Sequence, residues 1–88
     1  MTKQGQNNSS IWYVYMVRCS DNTLYTGITT DLERRIAAHN STKSGARYTN
    51  GRRPVHLVYH EILASRSEAA RREWQIKKMT AEAKKKLL

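Results

Sequence analysis

A mostly polar stretch over residues 1–10, without apolar periodicity, opens the chain, and ordered patterning starts near Ile11. From Trp12 to Cys19 the residues are β-branched, aromatic or otherwise apolar, with one arginine, a composition that predicts a strand. Tyr13, Tyr15, Val17 and Cys19 then share one face, while Trp12, Val14 and Met16 share the other. "SDN" supplies turn chemistry and "LYTGIT" a returning antiparallel strand. In "TDLERRIAAHN" the period lengthens, and Thr30 and Glu33 stand in capping-box spacing, so a helix is expected from near Asp31 to near Asn40. After a Gly-, Ser- and Thr-rich loop over 41–54, "VHLVYHEI" reads as a third strand. Ser65 and Glu68 repeat the capping spacing ahead of a helix to about Met79, and Thr80 can cap a last short helix. The order β-β-α-β-α-α predicts an α+β fold, a small three-stranded antiparallel sheet flanked by helices.

A turn over Ser20–Asn22 sets Val17 opposite Tyr25 and Tyr15 opposite Gly27, which makes Tyr15 and Tyr25 diagonal neighbours on one face. Gly27 leaves a spot open to close approach by backbone or ligand. On the first helix Leu32 and Ile36 define the buried stripe, Arg34 points away from it, and Arg35 and His39 lie together on its border. Taken singly, each feature has an ordinary structural explanation: an aromatic sheet face, a snorkelling arginine, a histidine satisfied by backbone. On the second long helix Ala69, Ala70, Trp74 and Ile76 spread over an apolar arc that includes Glu73. A carboxylate there requires a partner. Lys77, four residues on, is the plain candidate, and a hard cation such as Mg²⁺ is the functional one.

Charge narrows the partner class. Of 88 residues, 16 are Lys or Arg and 7 Asp or Glu, for a net charge of +9, which favours a polyanion and nucleic acid first. Lys43, Arg47, Arg52 and Arg53 crowd the 41–54 loop without an acid among them. No helix pairs a wide apolar face with a basic one, so a membrane surface is disfavoured. One cysteine, Cys19, rules out an intramolecular disulfide, and the polar start lacks a signal-peptide core, so a cytoplasmic protein is expected. Residues 1–10 are expected to be a disordered tail and 11–88 one domain.

"YVY" at 13–15, "YTG" at 25–27, "TTDLERRIAAHN", "GARYTNGRRPV" and "REWQIKK" together resemble the GIY-YIG nuclease superfamily, in its small single-domain bacterial branch (UPF0213-like). The resemblance spans residues 12 to about 79 and implies endonucleases that hydrolyse phosphodiesters with a divalent metal, Mg²⁺ or Mn²⁺. It implies catalytic roles for Tyr15, Tyr25, Arg35, His39 and Glu73, with Glu73 holding the metal and Tyr13 and Gly27 as motif positions. One tyrosine would deprotonate the attacking water while the other positions it or the phosphate. Lys43, Arg47, Arg52, Arg53, Arg71, Arg72, Lys77, Lys78 and the lysines at 84–86 would contact the nucleic-acid backbone, DNA more than RNA, and Tyr48 would stack on a base or pack locally. Tyr13 and Val14 stand where the name-giving motif has Gly and Ile, and no asparagine follows Glu73. The resemblance implies a DNA endonuclease, structure-selective and serving repair. The alternative is a weakly active or non-catalytic nucleic-acid-binding domain acting with a protein partner that supplies specificity.

Overall fold

The computed structural model describes residues 11–41 and 45–88; the expected tail over 1–10 and Lys43 lie outside them. The elements are β1 (Trp12–Arg18), β2 (Leu24–Thr29), α1 (Leu32–His39), β3 (His56–Leu63), α2 (Arg66–Lys77) and α3 (Ala81–Leu87). The sheet order is β2-β1-β3, and β1 is antiparallel to both neighbours. Central β1 is covered on both sides, so Val14, Tyr15, Met16 and Val17 are all buried.

The β1–β2 turn fixes everything downstream. Asp21 accepts hydrogen bonds from the Thr23 amide (3.1 Å) and hydroxyl (2.6 Å), and Asn22 takes a positive φ of 70°, a conformation asparagine tolerates. The register is the one expected: Val17 opposite Tyr25, and Tyr15 opposite Gly27. Pairing with β3 slips between Met16 and Val17, which face Tyr59 and Leu57, a bulge that bends β3.

Alternation then sorts the side chains into two cores. On one face Tyr15, Val17, Cys19 and Val55 pack with Tyr25 and with Leu32 and Ile36 of α1. On the other, Val14, Met16 and Ile76 pack with Leu24, Ile28, Val58, Tyr59, Leu63, Met79 and Leu87. The molecule is therefore a sheet between α1 and the α2–α3 pair.

Helix starts differ in detail from the spacing rules. Asp31, not Thr30, caps α1: its backbone is extended and its carboxylate accepts from the Arg34 amide at 3.1 Å. An acidic cap also faces the positive end of the helix dipole, which a threonine cannot exploit. Ser65 caps α2 through the Glu68 amide, but Glu68 reaches back to the Ala64 amide, one residue outside the usual box. Thr80 caps α3 through the Ala83 amide.

The apolar arc of α2 is narrower than its composition suggests. Ala69 and Ile76 are buried, whereas Ala70 is exposed and Trp74 is 61% exposed, with Lys78 Nζ 4.2 Å from the indole centroid. Residues 69 and 76 are seven apart and nearly eclipsed on a helix, while 74 and 76 differ by about 200°. Glu73 is only about 60° from the Ile76 line, beside the buried stripe.

Met16 is fully buried in the second core and Ile62 is 65% exposed on edge strand β3. Met16→Ala is expected to lower the unfolding free energy by about 2–5 kcal/mol in urea denaturation, and Ile62→Ala to change it by no more than about 0.5 kcal/mol.

Candidate active site

The first core face carries a polar cluster at the β2 side of α1. Sheet register places the Tyr15 ring over Gly27, where a Cβ would lie 2.6 Å from Tyr15 Oη and 2.9 Å from Cζ. The space expected to admit a ligand at Gly27 is thus filled by Tyr15 itself, because the phenol leans across the neighbouring strand. Only glycine permits this approach.

His39, at the last turn of α1, is fully buried instead of lying at the border of the stripe. The reason is the 45–49 loop, which folds back over it. Gly45 packs so tightly on the end of α1 that a Cβ would lie 2.9 Å from Ala38 O and from His39 Cα. The loop then presents Thr49, also fully buried, to the imidazole. His39 Nε2 is 2.7 Å from Tyr15 Oη and Nδ1 is 3.0 Å from Thr49 Oγ1, while the Ala46 amide lies 3.4 Å from Nδ1. Tyr25 is set edge-on to the imidazole at 5.3 Å, and Tyr48 stacks on Tyr25 at 5.6 Å and 21°. Arg52, 4.2 Å over the Tyr48 ring, donates to the Tyr48 carbonyl and pairs with Asp21 at 2.9 Å. Tyr48 thus packs between Tyr25 and Arg52 while its ring stays partly exposed.

Arg35, one turn before His39, lies near enough to the Tyr15 phenol to favour its ionised form. Glu73 is close enough that its charge acts on the same phenol, and Lys77, its ion-pair partner at 3.1 Å, stands 5.9 Å from the Tyr25 ring. Tyr15, Tyr25, Arg35, His39, Gly27, Glu73 and Lys77 thus come together. Arg72 does not join them: it forms a forked ion pair with Glu61, which also accepts from the Tyr59 hydroxyl. Arg53 donates to the Ser41 carbonyl, and Arg47, Arg71 and Lys78 are exposed. Tyr13 meets His60 of β3 edge-on at 6.0 Å, outside the cluster. An apolar groove lined by Leu32, Glu33, Ile36, Ala37 and Leu57 shares no residue with it.

Burial governs the titration of the two central groups. It pushes the Tyr15 phenol up to about 12, with the nearby Arg35 guanidinium opposing and the charges of Tyr25 and Glu73 adding to the rise. Burial first and the Arg35 charge second lower His39 to about 4, so the imidazole is neutral at pH 7. Glu61 is held below the usual carboxylate range by its hydrogen bonds from Arg72. As for metal, no group of three or more His, Cys, Asp or Glu side chains converges among the described residues. Glu73 is the single carboxylate at the cluster. One carboxylate with water and substrate phosphate completing the shell suits Mg²⁺, so the donor set fits, provided the cation displaces Lys77.

Thr49 and the Ala46 amide were missing from the sequence-derived site. "GARYT" was legible as part of a basic loop, but nothing in its spacing announces that Gly45 lets Thr49 reach across to a helix terminus.

Two outcomes follow from this packing. Gly27→Ala is expected to displace the Tyr15 ring, break its bond to His39 and cost about 1–3 kcal/mol in urea unfolding. Because His39 takes up a proton less readily folded than unfolded, its contribution to stability is complete above pH 6.5 and is lost as pH falls from 6.5 toward about 4. Unfolding midpoints measured across that window should fall more steeply for the parent than for His39→Gln.

Comparison with known proteins places this geometry. The sequence profile described as the GIY-YIG catalytic domain matches residues 11–86. A UPF0213 protein of Desulfotalea psychrophila is 56% identical over 77 residues, covering 88% of this chain and 70% of that one. A UPF0213 protein of Staphylococcus haemolyticus is 57% identical over 76 residues, covering 86% and 92%. Two solution structures share the fold: a UPF0213 protein from Bacillus halodurans (44% identity, TM-score 0.56, covering 88% of this chain and 81% of that one) and a protein from E. faecalis (38% identity, TM-score 0.60, covering 92% and 86%). The chain belongs to the GIY-YIG nuclease family, in its UPF0213 group.

Proposed function

We propose that the protein is a divalent-metal-dependent endonuclease that hydrolyses DNA phosphodiester bonds, selecting substrates by structure and serving DNA repair. The supporting observation is the meeting of Tyr15, Tyr25 and Arg35 at one buried imidazole, His39, with Glu73 of α2 near enough that its charge acts on the Tyr15 phenol. Hydrolysis requires a deprotonated water in line with the leaving oxygen and cationic relief of the charge that builds on phosphate. Arg35 supplies a planar fork of donors suited to the scissile phosphate. Tyr15 is the tyrosine hydrogen-bonded to His39, so it can take the water's proton as its own passes to Nε2. A phenol held near 12 is seldom ionised at neutral pH and an imidazole held near 4 keeps an added proton only briefly, so the transfer would be concerted with attack on the phosphate and not completed before it. Tyr25, half-buried beside Lys77, positions the water or the phosphate. Glu73 would hold Mg²⁺ or Mn²⁺, which when bound polarises a phosphate oxygen and stabilises the leaving 3′ oxygen.

Backbone contacts fall to Arg47, Arg52, Arg53, Arg71, Lys77, Lys78 and the lysines at 84–86, with Lys43 in the same loop. Arg72 contributes only by leaving Glu61. These contacts carry no base-edge readout, so a protein partner or the shape of the DNA supplies specificity. A second reading, a nucleic-acid binder that cuts slowly or not at all, draws on the Lys77 ion pair that occupies Glu73 and on the absence of an asparagine after Glu73.

Purified protein incubated with branched, flapped and linear DNA in Mg²⁺ or Mn²⁺ separates the two. Cleavage that drops at least about 10²-fold in Glu73→Ala, Tyr15→Phe and Tyr25→Phe while DNA binding persists supports the nuclease. Binding without metal-dependent cleavage of any of these substrates supports the binder.

A further inference from the structure

Three hydrogen bonds run in series through the cluster: Tyr15 Oη to His39 Nε2 at 2.7 Å, His39 Nδ1 to Thr49 Oγ1 at 3.0 Å, and Thr49 Oγ1 to the Ala46 carbonyl at 2.9 Å. Each hydroxyl has one proton to give, and a neutral imidazole has one N–H. At the outer end, a carbonyl can only accept, so Thr49 spends its proton on Ala46 O and has lone pairs left for His39. At the inner end, Tyr15 is buried, and its hydroxyl lies 2.7 Å from Nε2, which is the acceptor its proton requires. Both ends demand the same thing of the imidazole: a proton on Nδ1 and a bare Nε2.

We propose that Thr49 is a positioning residue that fixes His39 in the Nδ1–H tautomer, so that Nε2 is held open to receive the phenolic proton of Tyr15. The assignment follows the logic by which a catalytic histidine is oriented by a third group, with a neutral hydroxyl in the orienting place. A competing donor exists, since the Ala46 amide lies 3.4 Å from Nδ1 and would suit the opposite tautomer. It is the longest contact of the set, at the edge of hydrogen-bond range, whereas the Thr49 contact is of ordinary length. An acceptor, Thr49 Oγ1, and a donor, the Ala46 amide, thus contest one nitrogen, and the closer threonine oxygen decides for a protonated Nδ1. Gly45 makes the contest possible, because any side chain there would strike the end of α1 and lift both groups away from the ring.

The catalytic consequence rests on the nuclease reading above; the tautomer does not, and the test separates them. Nitrogen chemical shifts of the His39 imidazole in the ¹⁵N-labelled protein are expected to mark Nδ1 as protonated and Nε2 as bare; a proton on Nε2 in the parent overturns the proposal, whatever the variants do. Thr49→Val keeps the shape and removes the hydroxyl, leaving the Ala46 amide as the partner of Nδ1. The proton is expected to move to Nε2 in Thr49→Val and to stay on Nδ1 in Thr49→Ser. On DNA, Thr49→Val should lower kcat about tenfold with KM unchanged, the scale of one lost hydrogen bond, and Thr49→Ser should restore it. A folded Thr49→Val that keeps the Nδ1 proton, or that flips it and cuts at the parent rate, overturns the positioning role. A parent that cuts no DNA counts against the nuclease reading, and the spectra still decide the tautomer.

Discussion

A neutral imidazole with no solvent exposure, bonded at both nitrogens, ties this small structure together. His39 belongs to α1, its inner partner Tyr15 to the central strand, and its outer partner Thr49 to the loop that leads into β3. Burying an unpaired polar group costs up to several kcal/mol, so the packing of helix on sheet holds only if the loop also closes. Gly45 and Gly27 allow it from opposite sides, one by admitting the loop to the helix end and the other by admitting the phenol to the neighbouring strand. Remove either close approach and the imidazole loses a partner it cannot replace with water.

Electrostatics follow from where that cluster sits. A net charge of +9 makes acidic groups ion-pair targets, and three acids are used in this way. Asp21 holds Arg52 beside Tyr48, Glu61 holds Arg72 between β3 and α2, and Glu73 holds Lys77 at the edge of the aromatic group. The first two pairs fasten elements together. The third is different in kind, because Lys77 is half-exposed, sits one turn along the same helix, and fastens nothing across the fold. A pair of that type contributes little to stability, so a divalent cation or a phosphate competing for either partner meets a small penalty.

The fold was legible because its signals are local. Strand alternation, the "SDN" turn and the caps of α2 and α3 each depend on residues within a few positions, and they fixed element order and the β1–β2 register, hence the Tyr15–Gly27 pairing. The meeting of Tyr15, Tyr25 and Arg35 followed from that register and from helix phase. Other features depend on what a neighbour does. Asp31 outcompeted Thr30 because a charged cap suits a helix start better; Trp74 turned outward because Ala69 and Ile76 already define the line of contact; His39 sank from border to core because a distant loop covers it. Thr49 was illegible for the same reason, since its partner lies ten residues away and is reached only through a close approach at Gly45.

The aromatic group also explains how so thin a core can support a site. A chain of 88 residues has little apolar surface to set aside for stability alone. Here the rings of Tyr15 and Tyr25 with the aliphatic Leu32 and Ile36 form one of the two cores, and the same rings carry the hydroxyls of the cluster. Stability and the hydrogen-bonded cluster thus draw on the same side chains on the α1 face, while the α2 face is built from Val14, Met16 and Ile76 without a buried titratable group. This division places the buried imidazole's demand on one side of the sheet, where Tyr15, Thr49 and the 45–49 loop meet it, and leaves the Thr26 hydroxyl beside Met16 buried without a partner on the other. The register in turn sets Tyr15 over Gly27, so the plain core positions the polar one.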